Sequence, residues 1–313
     1  MDTPAFLDTN RPAVPNLVVA GGIVPFHLEH SPVRGRLVRL GPLADALLSR
    51  HAENPDAVLT LMGKAVALVA AMASALKFKG SFSLQVKGDG PVSLLAADAT
   101  DTGDVRSFAR LEENADREAL PETDRGLLGN GYLAFTVDQG AEMERHQGIV
   151  ELTGGTLADM AMHYFQTSEQ HDCWIKLFCR KTVDGWQAGA LVLERIAEEG
   201  GIENAHPETR DDDAWETACT FGETLQDTEL FDETLGSDTL IFRLFGTLGV
   251  QVAPPRALAY GCRCSRARLA SVLERFGTDD LDHMAEDGTI TMKCEFCNTD
   301  FRFARDELGK QPE

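Results

Sequence analysis

The sequence predicts an α+β protein whose carboxyl end is a small module stapled by metal, and three observations carry that expectation. Short apolar runs of strand length mix with helical stretches from residue 16 to about 195. An acid-rich region follows, and the chain then offers Cys262-Arg263-Cys264 and Cys294-Glu295-Phe296-Cys297. The expected division is an α+β core domain over 1–195, an acidic helical linker over 196–256 and a four-cysteine module over 257–313.

The first strand is expected at Asn16-Leu17-Val18-Val19-Ala20, with Gly21-Gly22 ending it. Asn54 reads as the N-cap of a helix and Pro55 as its first residue, where a missing N–H costs nothing. That helix, 57–76, is apolar nearly all round and contains Thr60, Gly63, Lys64 and Ser74, so it reads as a buried helix and not a membrane span. Ser81-Phe82-Ser83-Leu84-Gln85-Val86 alternates with period two, and Gly88-Asp89-Gly90-Pro91 turns the chain into Val92-Ser93-Leu94-Leu95-Ala96. This glycine-rich turn lacks the Lys-Ser/Thr and Gly-x-Gly-x-x-Gly signatures of phosphate cradles, so it reads as a turn. A second strand pair is expected at 131–137 and 148–152.

Between Glu194 and Asp238 lie 15 acidic residues, including Asp211-Asp212-Asp213, with scattered anchors such as Trp215, Phe221 and Leu225. Like charge at that density weakens compaction, so helices here should depend on docking. Leu225, Leu230, Phe231, Ile241, Phe242, Leu244 and Phe245 are candidates for exposure should the linker helices come away, or plainly the packing face of those helices. The last module, about 57 residues long, is too small to rely on an apolar core. It offers Ser265 as N-cap of a helix through Phe276, a second short helix at 280–286, and two strands flanking Cys294 to Cys297.

Composition narrows the function. The 313 residues hold 29 basic and 50 acidic side chains, a net charge of −21 that repels phosphate backbones and makes nucleic acid an unexpected partner. The start, Met1-Asp2-Thr3-Pro4, shows no secretory leader, which suggests a reducing, cytoplasmic location. Four of the seven cysteines sit at metal-ligand spacing, with 29 residues between Cys264 and Cys294. Cys262, Cys264, Cys294 and Cys297 supply four thiolates for one tetrahedral site that zinc fills best, with no position left for water or substrate. Arg263, Arg266, Lys293 and Arg302 stand near enough in sequence to offset the site's negative charge. Cys173, Cys179 and Cys219 read as small apolar core residues, and His283 as a surface residue.

Zinc holds thiolates in the form that oxidants attack. Cys294 and Cys297 can close an ordinary short-loop disulfide, whereas Cys262 and Cys264 can close only a small strained ring. A static zinc staple, a redox switch and a thiol-disulfide oxidoreductase all remain open on this chemistry. His146, His163 and His171 form no defensible catalytic pattern, and no enzyme is expected.

With these cysteine pairs at the end of an α+β chain, the sequence resembles the bacterial redox-regulated 33-kilodalton heat-shock chaperone family. The resemblance extends through Leu76-Lys77-Phe78, Leu84-Gln85, Gly88-Asp89-Gly90-Pro91-Val92, Gly129-Asn130-Gly131-Tyr132, Gln147-Gly148-Ile149-Val150-Glu151-Leu152 and Ser168-Glu169-Gln170. It implies a cytoplasmic, ATP-independent holdase for unfolded or oxidatively damaged client proteins, inactive when reduced and loaded with one zinc ion. It implies disulfides Cys262–Cys264 and Cys294–Cys297 on oxidation, zinc release, unfolding of module and linker, and a possible homodimer.

Overall fold

The computed structural model describes residues 15–29, 31–75, 79–140, 143, 145–196 and 208–308, with side chains from 212 onward in the last stretch. The chain start, Leu76-Lys77-Phe78, residues 197–207 of the acidic region and the Asp211 side chain lie outside the described residues. Residues 17–261 form one compact unit, and a second begins at Cys262.

The larger unit runs β1 (Val18–Leu28), β2 (Val33–Arg39), α1 (Pro42–Leu48), α2 (Asp56–Ala75), β3 (Ser81–Gly88), β4 (Val92–Thr100), β5 (Asp104–Leu111), α3 (Asp124–Leu128) and β6 (Gly131–Asp138). It continues with β7 (His146–Glu151), α4 (Leu157–Ser168), β8 (Cys173–Thr182), β9 (Gly185–Arg195), α5 (Glu208–Glu223), α6 (Asp227–Leu230), α7 (Ser237–Phe245), β10 (Val250–Val252) and β11 (Arg256–Tyr260). All its strands join one 11-stranded sheet in the order β7-β6-β3-β4-β5-β11-β1-β2-β9-β8, with β10 paired to β1. The mixed α+β architecture expected from sequence is present.

Helix α2 is the axis of the core. Fourteen of its 20 residues are buried, from Val58 to Ala73. It is long and apolar enough to cross a membrane, yet 78% of its most apolar window is buried within the fold, as a core helix requires. At Gly63 an added Cβ would lie 2.4 Å from Cys179 Sγ, so the glycine allows α2 to approach the sheet. The hairpin β3–β4 and the pair β6–β7 form as expected, in antiparallel register. The turn at Asp89 is tied to the residue before β6, the Asp89 carboxylate Oδ1 accepting a bond from Asn130 N at 2.6 Å.

Three expectations shift. β1 continues through Gly21-Gly22 to Leu28, with an irregularity against β11 between Val19 and Ile23. A Cβ on Gly22 would press on Leu258 at 2.8 Å, so this glycine marks a close approach inside a strand and not its end. Pro55 O accepts bonds from Val58 and Leu59, which puts Pro55 at the cap position and starts α2 one residue later. Residues 256–260 belong to the large sheet as β11, parallel to β5 and antiparallel to β1, and the small unit begins beyond them.

The acidic region docks as α5–α7 on the sheet face opposite α2. Leu225, Leu230, Ile241 and Phe245 are buried there with Phe26, Leu37, Leu191 and Leu193, and the Phe26 and Phe245 rings stack at 5.1 Å. Phe231 and Leu244 pack half-buried against this cluster, while Phe242 is 54% exposed. Six of the seven candidate residues are therefore packing-face residues in this state.

Candidate metal centre

The C-terminal unit consists of α8 (Arg266–Leu273), α9 (Thr278–Met284) and the hairpin β12 (Thr289–Cys294) with β13 (Thr299–Ala304). Ser265 caps α8 as expected, its Oγ accepting from Arg268 N at 3.1 Å. That cap fixes the chain just after Cys264. Cys294 ends β12, and its carbonyl accepts from Asn298 N at 2.8 Å, folding Glu295-Phe296-Cys297 into a tight turn. Asn298 takes φ 54°, a left-handed conformation that asparagine tolerates.

The two cysteine pairs converge. Sγ of Cys262 lies 3.3 Å from that of Cys264 and 3.7 Å from that of Cys294, and Cys264 Sγ lies 3.5 Å from Cys297 Sγ. All four sulfurs fall within 4.8 Å of one another, and all four residues are buried. A tetrahedron with metal–sulfur bonds of about 2.3 Å has edges of about 3.8 Å. The sulfurs thus stand near the corners of a four-thiolate metal site, well apart from disulfide distance. The donor set and spacing fit a soft divalent ion. Hydrogen bonds from Cys262 and Cys264 lower the Cys294 thiol to about 7 and Cys297 further, while the donors Cys262 and Cys264 are raised, so the four sulfurs keep their protons on the Cys262–Cys264 pair.

The basic residues near the site separate. Arg266 pairs with Glu307 at 2.9 Å and lies 4.4 Å over the Phe303 ring, also donating to Arg302 O. Lys293 and Arg302 are exposed, and Arg263, between two of the cysteines in sequence, is half-buried like Arg266. His283 is exposed, its ring bonded to Asp279 O.

The remaining cysteines do not join the site. Burial raises Cys179 and Cys219 to about 12 and Cys173 well above its ordinary value, which disfavours their thiolates. All three are partly exposed, less enclosed than the sequence suggests. Sequence reasoning missed a buried ion pair between Arg36 and Glu194, with His171 Nε2 3.8 Å from Glu194 Oε1. Its partners are 158 residues apart, so no local signal announces it.

The family model described as Hsp33 protein matches residues 22–304. The 33 kDa chaperonin of Caulobacter vibrioides is 37% identical over 286 residues, covering 87% of this chain and 91% of that protein. That of Methylobacillus flagellatus is 31% identical over 280 residues, covering 89% of each. The crystal structure of the 33 kDa chaperonin (heat shock protein 33 homolog) from Thermotoga maritima superposes with a TM-score of 0.74 at 23% identity, covering 92% of this chain and 96% of that one, and attests the fold. Matched by the family model over nearly its whole length and by relatives above 30% identity, this chain belongs to the Hsp33 family.

Proposed function

We propose that this chain is a redox-regulated, ATP-independent chaperone, a holdase that binds unfolding proteins and prevents their aggregation under oxidative and heat stress. The family and the relatives' printed names support a chaperone over an enzyme. The observation that carries the redox part is the convergence of four buried sulfurs in a unit whose other buried apolar side chains are few. Cys262, Cys264, Cys294 and Cys297 would hold one zinc ion in the reduced state, and that ion would supply folding energy to the unit.

Oxidation acts on the sulfurs themselves. A thiolate attacks peroxide, the O–O bond breaks, hydroxide leaves and a sulfenic acid forms; the neighbouring thiolate then displaces hydroxide and closes the S–S bond. Each disulfide takes two electrons from the protein and delivers them to one peroxide. Pairing Cys262 with Cys264 and Cys294 with Cys297 removes every ligand, and the unit loses its staple. Release of α5–α7 then uncovers the apolar sheet face around Phe26, Leu37 and Leu191 for clients. The strong negative charge disfavours nucleic acid. We place this activity in the bacterial cytoplasm, with homodimers forming on oxidation.

The sulfurs' burial favours one competing account, a permanent zinc staple that oxidants reach slowly. Light scattering from a heat-unfolded test protein decides between them. It is compared for reduced zinc-loaded chain and for chain oxidised at elevated temperature, with released zinc recorded on the same samples. Suppression only after oxidation, reversed by reductant and zinc, is the expected result; equal behaviour in both states sinks the switch.

A further inference from the structure

At three places along the linker helices, a cation of the sheet takes hold of the chain. Lys176 Nζ donates to Glu223 O at 2.6 Å, a carbonyl in the last turn of α5, and to the Glu223 carboxylate at 3.0 Å. Arg180 Nη1 donates to Asp227 Oδ2 at 3.0 Å at the start of α6, and its guanidinium lies 5.0 Å over the Phe231 ring. Arg39, at the end of β2, spans the turn from α6 to α7, with Nη2 on Glu229 O at 3.2 Å and Nη1 on Leu235 O at 2.6 Å. The last carbonyls of a helix have no partner within it, so these short helices rely on donors from elsewhere.

Arg39 is the least comfortable of the three. Burial lowers its pKa against the pull of Asp232, and its Nε has no hydrogen-bond partner among the described residues. Its two bonds to the linker turn have to offset that desolvation, and truncating the fork leaves both carbonyls without this charged donor. Apolar contacts alone would let α6 and α7 slide over the sheet. The planar fork serves the two carbonyls from separate nitrogens, a geometry that a lysine's single ammonium does not reproduce.

We infer that Arg39, assisted by Lys176 and Arg180, is a clasp that sets how readily the linker helices leave the sheet, with Arg39 fixing the α6–α7 turn. The inference rests on the chaperone reading above and names the residues that regulate it. The test uses full-length, reduced, zinc-loaded protein carrying Arg39→Lys or Arg39→Met. Hydrogen exchange is followed in peptides from 225–245, with 81–100 as internal reference, alongside zinc content and aggregation suppression. Losing two bonds to a charged donor should speed exchange in 225–245 by roughly ten- to a hundredfold in both variants. The reference should not change, zinc should be retained, and suppression should no longer need oxidant.

Unchanged exchange in 225–245, or an equal rise in the reference, overturns the clasp. Faster linker exchange with suppression still dependent on oxidant upholds the clasp and removes activation by linker release. Should both Arg39 variants fold poorly, Lys176→Gln serves, since it removes the charge that makes both bonds to Glu223 at the protein surface. It should speed exchange only around the end of α5, and no change there counts against the clasp.

Discussion

Replacing Cys297 by serine tests whether metal holds the C-terminal unit together. Cys297 is 1% exposed, with its sulfur 3.5 Å from that of Cys264 and 3.3 Å from Thr299 Oγ1. Beyond its cysteines the unit buries Leu273, Leu281, Ile290, Phe301, Phe303 and Leu308. At about 1.5–3 kcal/mol for each such side chain, these contribute roughly 9–18 kcal/mol, an upper estimate. A four-thiolate zinc site contributes about 10–16 kcal/mol at neutral pH. Metal and apolar core are therefore of similar size, and a unit this small has little margin without either one. A serine hydroxyl stays protonated at neutral pH and leaves three sulfurs. In reduced Cys297→Ser, the zinc-to-chain ratio after dialysis against a mild chelator should fall from about one to near zero. Trypsin should cut within 262–308 at least about tenfold faster, while 81–100 stays resistant. Zinc retained at full stoichiometry, or wild-type protein that keeps its protease resistance after metal removal, would refute the reasoning.

Gly63→Ala pushes a methyl to 2.4 Å from Cys179 Sγ and 3.1 Å from Leu48, and should cost about 1–3 kcal/mol in urea unfolding; Cys179→Ala in the same chain should recover part of it. The folded-state pKa of Cys179, raised to about 12, lies above its unfolded value near 9. Its stabilising effect is thus complete below about pH 9 and lost as pH climbs toward 12, by up to about 1.4 kcal/mol per pH unit. Cys179→Ala should therefore lose less stability than wild type between pH 8 and pH 10.5, and identical losses would contradict this account. Glu194→Gln leaves the buried Arg36 guanidinium without its counter-charge and should lower stability by about 3–5 kcal/mol, read as a fall in Tm. An unchanged Tm would mean that Arg36 finds another partner.

The parts of this protein that sequence makes legible are those fixed by neighbours along the chain. The β3–β4 hairpin follows from alternation and a glycine-rich turn, and the Ser265 cap from a hydroxyl before a helical run. The four cysteines are legible because their spacing within each pair is a local property that matches metal geometry. What escapes is set by partners far away in sequence. Gly21-Gly22 reads as a strand end, since nothing nearby shows that Leu258 needs the space above Gly22. Residues 256–260 carry no sign that they pair with Val18, Val19 and Asp104. The linker reads as weakly compact because its charge is visible and its receiving surface is not. Arg39, Lys176 and Arg180 lie on β2 and β8 and become linker residues only in the fold.

That receiving surface also constrains how a change at the cysteines can reach the linker. The acidic helices are not a free tail: β9 enters them from one side, and β10 and β11 leave them on the other, all within the large sheet. If the linker lifts away while both ends stay paired, it remains a tethered loop of about fifty residues, and the penalty for keeping that loop closed grows only slowly with its length. Along the chain, the path from Cys262 back to α7 passes through β11 and β10. β11 is held by two residue pairs to β5 and by a broken register to β1, and β10 by three pairs to β1. These are the weakest pairings in a sheet whose other ladders run from five to ten pairs. On the proposed function, loss of a metal staple would propagate toward α7 by stripping two short strands, and the ladders that enclose α2 need not open.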